Sequence, residues 1–285
     1  MIVPQLPIGS VVESAVYWIS DTFGFALDAF SALFGFIIDI FKDVLMAVPP
    51  LLFVVIIAAI AYLVGRKDWK LALGTALGFI VILSMDLWEY SMETIALVIS
   101  SAALALIIGI PLGILAAKSE TLYRILRPIL DLMQTMPSFV YLIPAVIFFG
   151  LGNVPGMIAT VVFSMPPAIR LTTLGITQVP TELVEVADAF GSTSWQKLIK
   201  VEIPVALKTI MAGVNQCIML ALSMVVIASM IGARGLGYQV LIGIQRVDIG
   251  VGFEAGLGIV IIAIVLDRLT QHLTCLLYTS DAADE

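Results

Sequence analysis

Glu185-Val-Ala-Asp-Ala-Phe-Gly191, followed after nine residues by Val201-Glu-Ile-Pro204, decides how this chain is read. The stretch lies between long apolar runs. It gathers acids (Glu182, Glu185, Asp188, Glu202) and bases (Lys197, Lys200, Lys208) in a sequence otherwise poor in charge. The pattern predicts a helix, a glycine break and a second helix closed by a proline, which together make a short rigid elbow at a membrane surface. Such an elbow suits docking to a soluble partner. The small Ala187 lets a helix seat closely in a partner's groove, and Gly191 permits a turn that a Cβ resists. Pro204 is expected to end the elbow and start the next span. The alternative is a merely solvated loop.

Working outward, the chain of 285 residues is 61% hydrophobic and only 12% charged. Its mean hydropathy is +1.11. A soluble domain carries about twice that charged fraction, so an integral membrane protein is expected. The apolar stretches have helix length rather than the alternation of barrel strands. No basic n-region precedes an apolar h-region at the start, so no secretory signal is expected. Cys217 falls in a span and Cys275 in the tail, and the single histidine, His272, has no clustered ligands. Neither a disulfide nor a metal site is expected.

Residues 1–47 mix aromatic residues (Trp18, Phe23, Phe25, Phe30, Phe34, Phe36, Phe41) with Asp21, Asp28, Asp39, Lys42 and Asp43. This predicts an amphipathic helix lying at the extracytoplasmic interface; the alternative is an unusually polar first span. After Pro49-Pro50, seven spans are expected, near 50–64, 71–87, 94–117, 134–150, 155–176, 206–231 and 251–269. Arg66, Lys67, Lys70, Lys118, Arg124, Arg127, Arg170, Lys197, Lys200, Lys208 and Arg268 fall on one side if the spans alternate. The other side keeps Arg234 and Arg246, with Asp86, Glu89 and Glu93. The positive-inside rule then makes the elbow cytoplasmic and the N-terminal segment external. No GxxxxGK[ST] occurs, so the chain is not expected to bind ATP in the P-loop manner.

The elbow resembles the "EAA" coupling loop of ABC-importer permeases, E-A-A-x3-G-x9-I-x-L-P. Val186, Val201 and Ile203 depart from that pattern, while its spacing is intact. Other stretches resemble the permease of the glycine betaine/proline betaine ABC importer. They are Arg127-Pro-Ile-Leu-Asp-Leu-Met-Gln-Thr-Met-Pro-Ser-Phe-Val-Tyr-Leu-Ile-Pro144, Phe149-Gly-Leu-Gly-Asn-Val-Pro-Gly156, Pro166-Pro-Ala-Ile-Arg-Leu-Thr172, Met211-Ala-Gly-Val-Asn-Gln216, Leu220-Ala-Leu-Ser-Met-Val-Val-Ile-Ala-Ser-Met230 and Ile264-Val-Leu-Asp-Arg-Leu-Thr-Gln271. The likeness spans roughly 48–272. It implies an all-α polytopic protein of the bacterial cytoplasmic (inner) membrane, with a type I importer core of five spans in 94–272, coupling loop 177–205, and two accessory transmembrane helices in 48–93. It also implies a second permease, usually identical, a cytoplasmic ABC ATPase that uses the ATP, and an extracytoplasmic substrate-binding protein. No cofactor is expected on this chain, no catalysis by it, and no nucleic-acid partner.

The resemblance assigns ATPase coupling to Glu185, Ala187, Gly191 and Pro204. Gln134, Thr135, Asn215, Gln216 and Ser223 are polar groups at or within spans. They line the translocation path or bond to neighbouring helices, and both readings stay open. Choline, carnitine or an amino acid are alternative substrates. An ion-coupled secondary transporter is the rival of another class, but it needs no elbow and favours buried ionisable residues and inverted repeats. The ending Cys275-Leu-Leu-Tyr-Thr-Ser-Asp-Ala-Ala-Asp-Glu285 resembles the translation of a sequencing-library adapter. Residues 275–285 are therefore expected to be an adapter-derived tail, with the natural sequence diverging near Thr274. Without Asp281, Asp284 and Glu285 the net charge moves from −7 to −4.

Overall fold

A computed structural model describes residues 8–280, with side chains from 9 to 273. Residues 1–7 of the N-terminal segment and the side chains of the expected tail lie outside that range. The described residues are helical throughout. In chain order the helices are α1 (Ile8–Ala47), α2 (Pro50–Val64), α3 (Trp69–Ser84), α4 (Trp88–Lys118), α5 (Glu120–Thr135), α6 (Ser138–Phe149), α7 (Asn153–Thr177), α8 (Thr181–Ala189), α9 (Ser194–Lys197), α10 (Ile203–Ser223), α11 (Val225–Ser229), α12 (Leu236–Arg246) and α13 (Ile249–Ser280).

The centre of the bundle is α7 packed between α4 and α10. Lipid offers no hydrophobic force between apolar helices, so close backbone approach has to supply the attraction. Gly109 and Gly113 provide it as a small-x3-small pair on α4. A Cβ on Gly109 would stand 3.1 Å from Ala168 Cβ, and one on Gly113 only 2.6 Å from Thr172 Cβ. The contact is sealed by Thr173, whose hydroxyl donates to the Gly113 carbonyl at 3.0 Å. On the far side of α7, a Cβ on Gly213 would stand 3.0 Å from Leu171 Cβ. α2 and α3 join these helices through aromatic edges. Phe53 of α2, Phe79 of α3 and Trp88 of α4 meet edge-on, with centroids 5.3–6.3 Å apart.

The sequence leads to seven spans; by length and hydropathy alone the described helices offer five, or six with one bent pair. Five helical runs are long and apolar enough to cross a membrane: α1, α4, α7, Ser194–Ser229 and α13. A sixth arises if α5 and α6 count as one span, although they are bent by 99°. The span expected at 134–150 is interrupted, because Pro137 lacks the N–H that would continue the helix and disfavours helical geometry at Met136. Met136 is extended. The Tyr141 hydroxyl donates to the Met133 carbonyl and clasps the bend. With 12 residues, α6 reaches only about 18 Å. The expected spans at 50–64 and 71–87 are helices of 15 and 16 residues, below the roughly 20 that cross a bilayer upright.

At 40 residues, α1 is about 60 Å long, twice the thickness of the hydrocarbon layer. It runs across the ends of other helices. Ser20 to Ser31 share a cleft with 147–150 at the end of α6. Gly35 faces Val154 at the start of α7. Lys42 pairs with Glu93 at 2.5 Å near the start of α4. Its buried positions Phe34 and Ile38 form one face, and Trp18, Phe25 and Phe36 lie exposed on others.

Candidate functional site

The elbow begins where Pro180 precedes α8 and breaks at Gly191. Gly191 has φ +73°, the left-handed region that a glycine enters without penalty, and no atom lies within 4 Å of where its Cβ would be. The Gly191 and Ser192 N–H groups donate back to the carbonyls of Asp188 and Ala187 at 2.9 and 3.0 Å, closing the end of α8. Thr193 then caps α9 in a reciprocal box: its hydroxyl accepts from the Gln196 N–H, and its own N–H donates to the Gln196 side chain. Lys197 reaches across the turn to Asp188 at 2.8 Å, so the two arms of the elbow are tied.

Pro204 does not close the second arm. From Ser194 the chain continues without a break into α10, through a π-helical turn at Leu198–Glu202. A proline has no N–H for the carbonyl four residues earlier. The wider turn carries that defect, with the Ile203 N–H donating to the Leu198 carbonyl instead. The second arm and the span are therefore one lever. Its root is fixed by Glu202, which is buried and forms an ion pair with Lys118 at the end of α4.

Ala187 is buried against the body, whereas Glu185 is exposed on the outer side of α8. Two aromatic residues dominate the exposed surface of the elbow: Phe190 is 87% exposed and Trp195 68%. Val186, Leu183 and Ile199 are exposed as well. Neither Phe190 nor Trp195 is among the residues expected from the sequence to couple to a partner. Their signal was there, since two large aromatics flank a glycine turn in the most polar loop of the chain, where packing gives them no reason to be.

The polar residues of the spans separate. Asn215 turns inward, donating from Nδ2 to Asp267 at 2.9 Å and accepting from the Thr270 hydroxyl at 2.6 Å. It thereby ties α10 to α13. Gln216 and Ser223 are exposed on α10, in a stripe with Val205, Lys208 and Ala212. Gln134 and Thr135 are exposed at the end of α5, beside the bend.

The bundle has two chemically different ends. At the elbow end, Lys118 meets Glu202, Arg170 meets Asp131 at 2.5 Å, and Lys70, Arg268 and His272 line one cleft between α3 and α13. At the other end lie Glu89, Glu93, Lys42 and Arg234.

The described residues thus form a bundle of helices, several long and apolar enough to cross a membrane, with a polar elbow between two of them. The family model for the binding-protein-dependent transport system inner membrane component matches residues 109–274, and the chain belongs to that family. It is a multi-pass inner-membrane permease subunit of an ABC system, not an enzyme, and such a system includes an ATPase and a binding protein. It is 52% identical over 271 residues to the glycine betaine/carnitine transport permease protein GbuB of Listeria monocytogenes, covering 94% of this chain and 96% of the relative. It is 47% identical to the glycine betaine transport system permease protein OpuAB of Bacillus subtilis, covering 95% of each. Identity to the glycine betaine/proline betaine transport system permease protein ProW of Escherichia coli is 45%, over 93% of this chain and 75% of the relative. The inward-facing MetNI methionine ABC transporter has a chain of the same fold, with a TM-score of 0.61 at 22% identity, covering 67% of this chain and 95% of that one.

Proposed function

We propose that this chain is the permease of an ATP-driven importer of glycine betaine or a closely related quaternary ammonium osmoprotectant. The relatives named for glycine betaine transport, aligned over nearly the full chain, carry this reading. The elbow is the seat of the ATPase. Glu185, Phe190 and Trp195 meet the partner's groove, and Ala187 and Gly191 shape the surface they stand on. Motion of the ATPase passes to α10 through the continuous π-helical junction at Pro204, so the coupling loop and a core helix move as one body.

The elbow end faces the cytoplasm, and α1 with the 232–249 region faces the outside. The concentration of lysine and arginine at the elbow end supports this orientation. α1 lies along the external interface, and α2 and α3 are accessory membrane helices in 48–93 beside the core in 94–272. The exposed stripe of α10 supports a homodimer with the path between the two copies. A glutamine and a serine facing lipid are costly, whereas facing a second permease and a water-lined path they are not. Gln216 and Ser223, with Gln134 and Thr135 at the bend, line that path, and Asn215 holds α13 behind it.

Uptake of labelled glycine betaine into proteoliposomes tests the function. Permease, ATPase and binding protein together should transport in an ATP-dependent manner, and the permease alone should be inert. Gradient-driven uptake by the permease alone would make it a secondary transporter and overturn the proposal.

A further inference from the structure

The end of the bundle opposite the elbow holds a cleft of about 460 Å3, lined by Glu89, Tyr90, Glu93, Gly232, Arg234 and Tyr238. One wall is the start of α4; the other is the loop between α11 and α12 with the start of α12. The loop is built in. The Leu236 N–H donates to the Thr94 hydroxyl at 2.8 Å, and the Arg234 N–H to the Asn153 side chain at 2.9 Å. Gly235, at φ +114°, lies so close that a Cβ would stand 2.5 Å from Thr94 Oγ1.

Charge is distributed in this cleft in an unusual way. Glu93 is 7% exposed and already compensated by Lys42. Glu89 and Arg234 are exposed, and neither takes part in an ion pair among the described residues. Because Arg234 is anchored through its backbone, its guanidinium is not needed to hold the loop. The cleft therefore offers a carboxylate, a guanidinium and two phenol rings to an incoming molecule. That set complements a small zwitterion. A quaternary ammonium has no N–H to donate, so it gains most from ring faces and a nearby carboxylate. A guanidinium pairs with a carboxylate in two-pronged geometry.

We infer that this cleft is a receiving site of low affinity for a zwitterionic quaternary ammonium compound. Tyr90 and Tyr238 meet the methylated cation, Glu89 compensates its charge and Arg234 pairs with its carboxylate. The inference rests on the substrate and orientation proposed above, and adds a site before the path lined by α10.

Saturation-transfer NMR on the purified permease in lipid nanodiscs, reading the methyl protons of glycine betaine, tests it. The wild-type signal should saturate in the millimolar range. Tyr238→Leu and Glu89→Gln should each weaken binding about five-fold, within the range of an exposed cation–ring contact. Arg234→Gln should weaken glycine betaine similarly but leave tetramethylammonium, which lacks a carboxylate, unchanged. These residues are at least partly exposed and outside the packed core, and each variant is also assembled with ATPase and binding protein for uptake. An unchanged signal in all three variants overturns the site. Unchanged binding with reduced uptake overturns it too, and gives the residues to docking of the binding protein. A wild-type assembly that takes up no glycine betaine overturns the substrate proposal and the inference together. Wild-type uptake with a signal indifferent to the cleft overturns the inference alone.

Discussion

Gly191 shows how much one residue decides. Its left-handed φ costs a residue with a Cβ roughly 1–2 kcal/mol, more for a β-branched one and less for asparagine. Because no atom lies near the missing Cβ, the penalty is conformational, not steric crowding within the chain. Gly191→Val should therefore insert and fold but lose most ATPase binding and uptake, while Gly191→Asn should retain a substantial part of both. Pull-down of the ATPase and vesicle uptake measure this, and equal loss in the two variants would move the cause from the turn to the partner's groove. The turn expected at Gly191 was legible because a glycine between helix-forming segments has few other uses. Asn215 was not so legible. A polar residue in a span serves a path or a neighbouring helix, and only the position of Asp267 and Thr270, more than fifty residues away, distinguishes the two.

Among the elements, the α4–α7 contact and the root of the elbow are the most sensitive. Gly113→Leu would drive a side chain into Thr172 and the Ile169 carbonyl. Overpacking of this kind costs about 1–3 kcal/mol, so the purified variant should melt at lower temperature and assemble poorly with its partners. Gly74→Leu, where nothing lies within 4 Å, should melt like the wild type. The Glu202 carboxylate is buried and its partner Lys118 is not. Lys118→Met should therefore cost about 1–3 kcal/mol by leaving a buried group unmatched. The double variant with Glu202→Leu should recover most of that loss, because an apolar pair can replace a buried ion pair at little cost. A thermal-melt cycle over the four proteins reads the coupling, and strict additivity of the two changes would show that the pair does not hold the elbow.

At the scale of the whole molecule, the uneven distribution of lysine and arginine fixes the expected orientation. Single cysteines at Ser10 and Glu182, in a background lacking Cys217 and Cys275, can be challenged with an impermeant thiol reagent in intact cells. The cysteine at 10 should react and the one at 182 should not; the opposite pattern would place the elbow outside, where no ATPase can reach it. Substrate choice belongs to this scale as well. The cleft at the end opposite the elbow is open and its rings are few, so the isolated permease should bind glycine betaine no better than about millimolar, which corresponds to about 4 kcal/mol. Calorimetry on the permease, beside uptake by the full assembly at lower concentration, makes the comparison. Micromolar binding by the permease alone would locate the main recognition site within the spans.

The sequence by itself determined the membrane class, the helical architecture and the place of the elbow. Hydropathy, glycine and proline spacing, and the distribution of charge are local quantities that act before any tertiary contact forms. Only the tertiary structure decided that Pro204 joins the elbow to α10, that the stretch at 134–150 is a bent pair, and that α1 crosses the ends of its neighbours. It alone brought Lys118 to Glu202 and gathered Glu89, Tyr90, Arg234 and Tyr238 around one cleft. Each of these depends on a partner distant in sequence, or on whether a proline's missing hydrogen bond widens a helix or ends it, and the packing of the surrounding helices settles that choice.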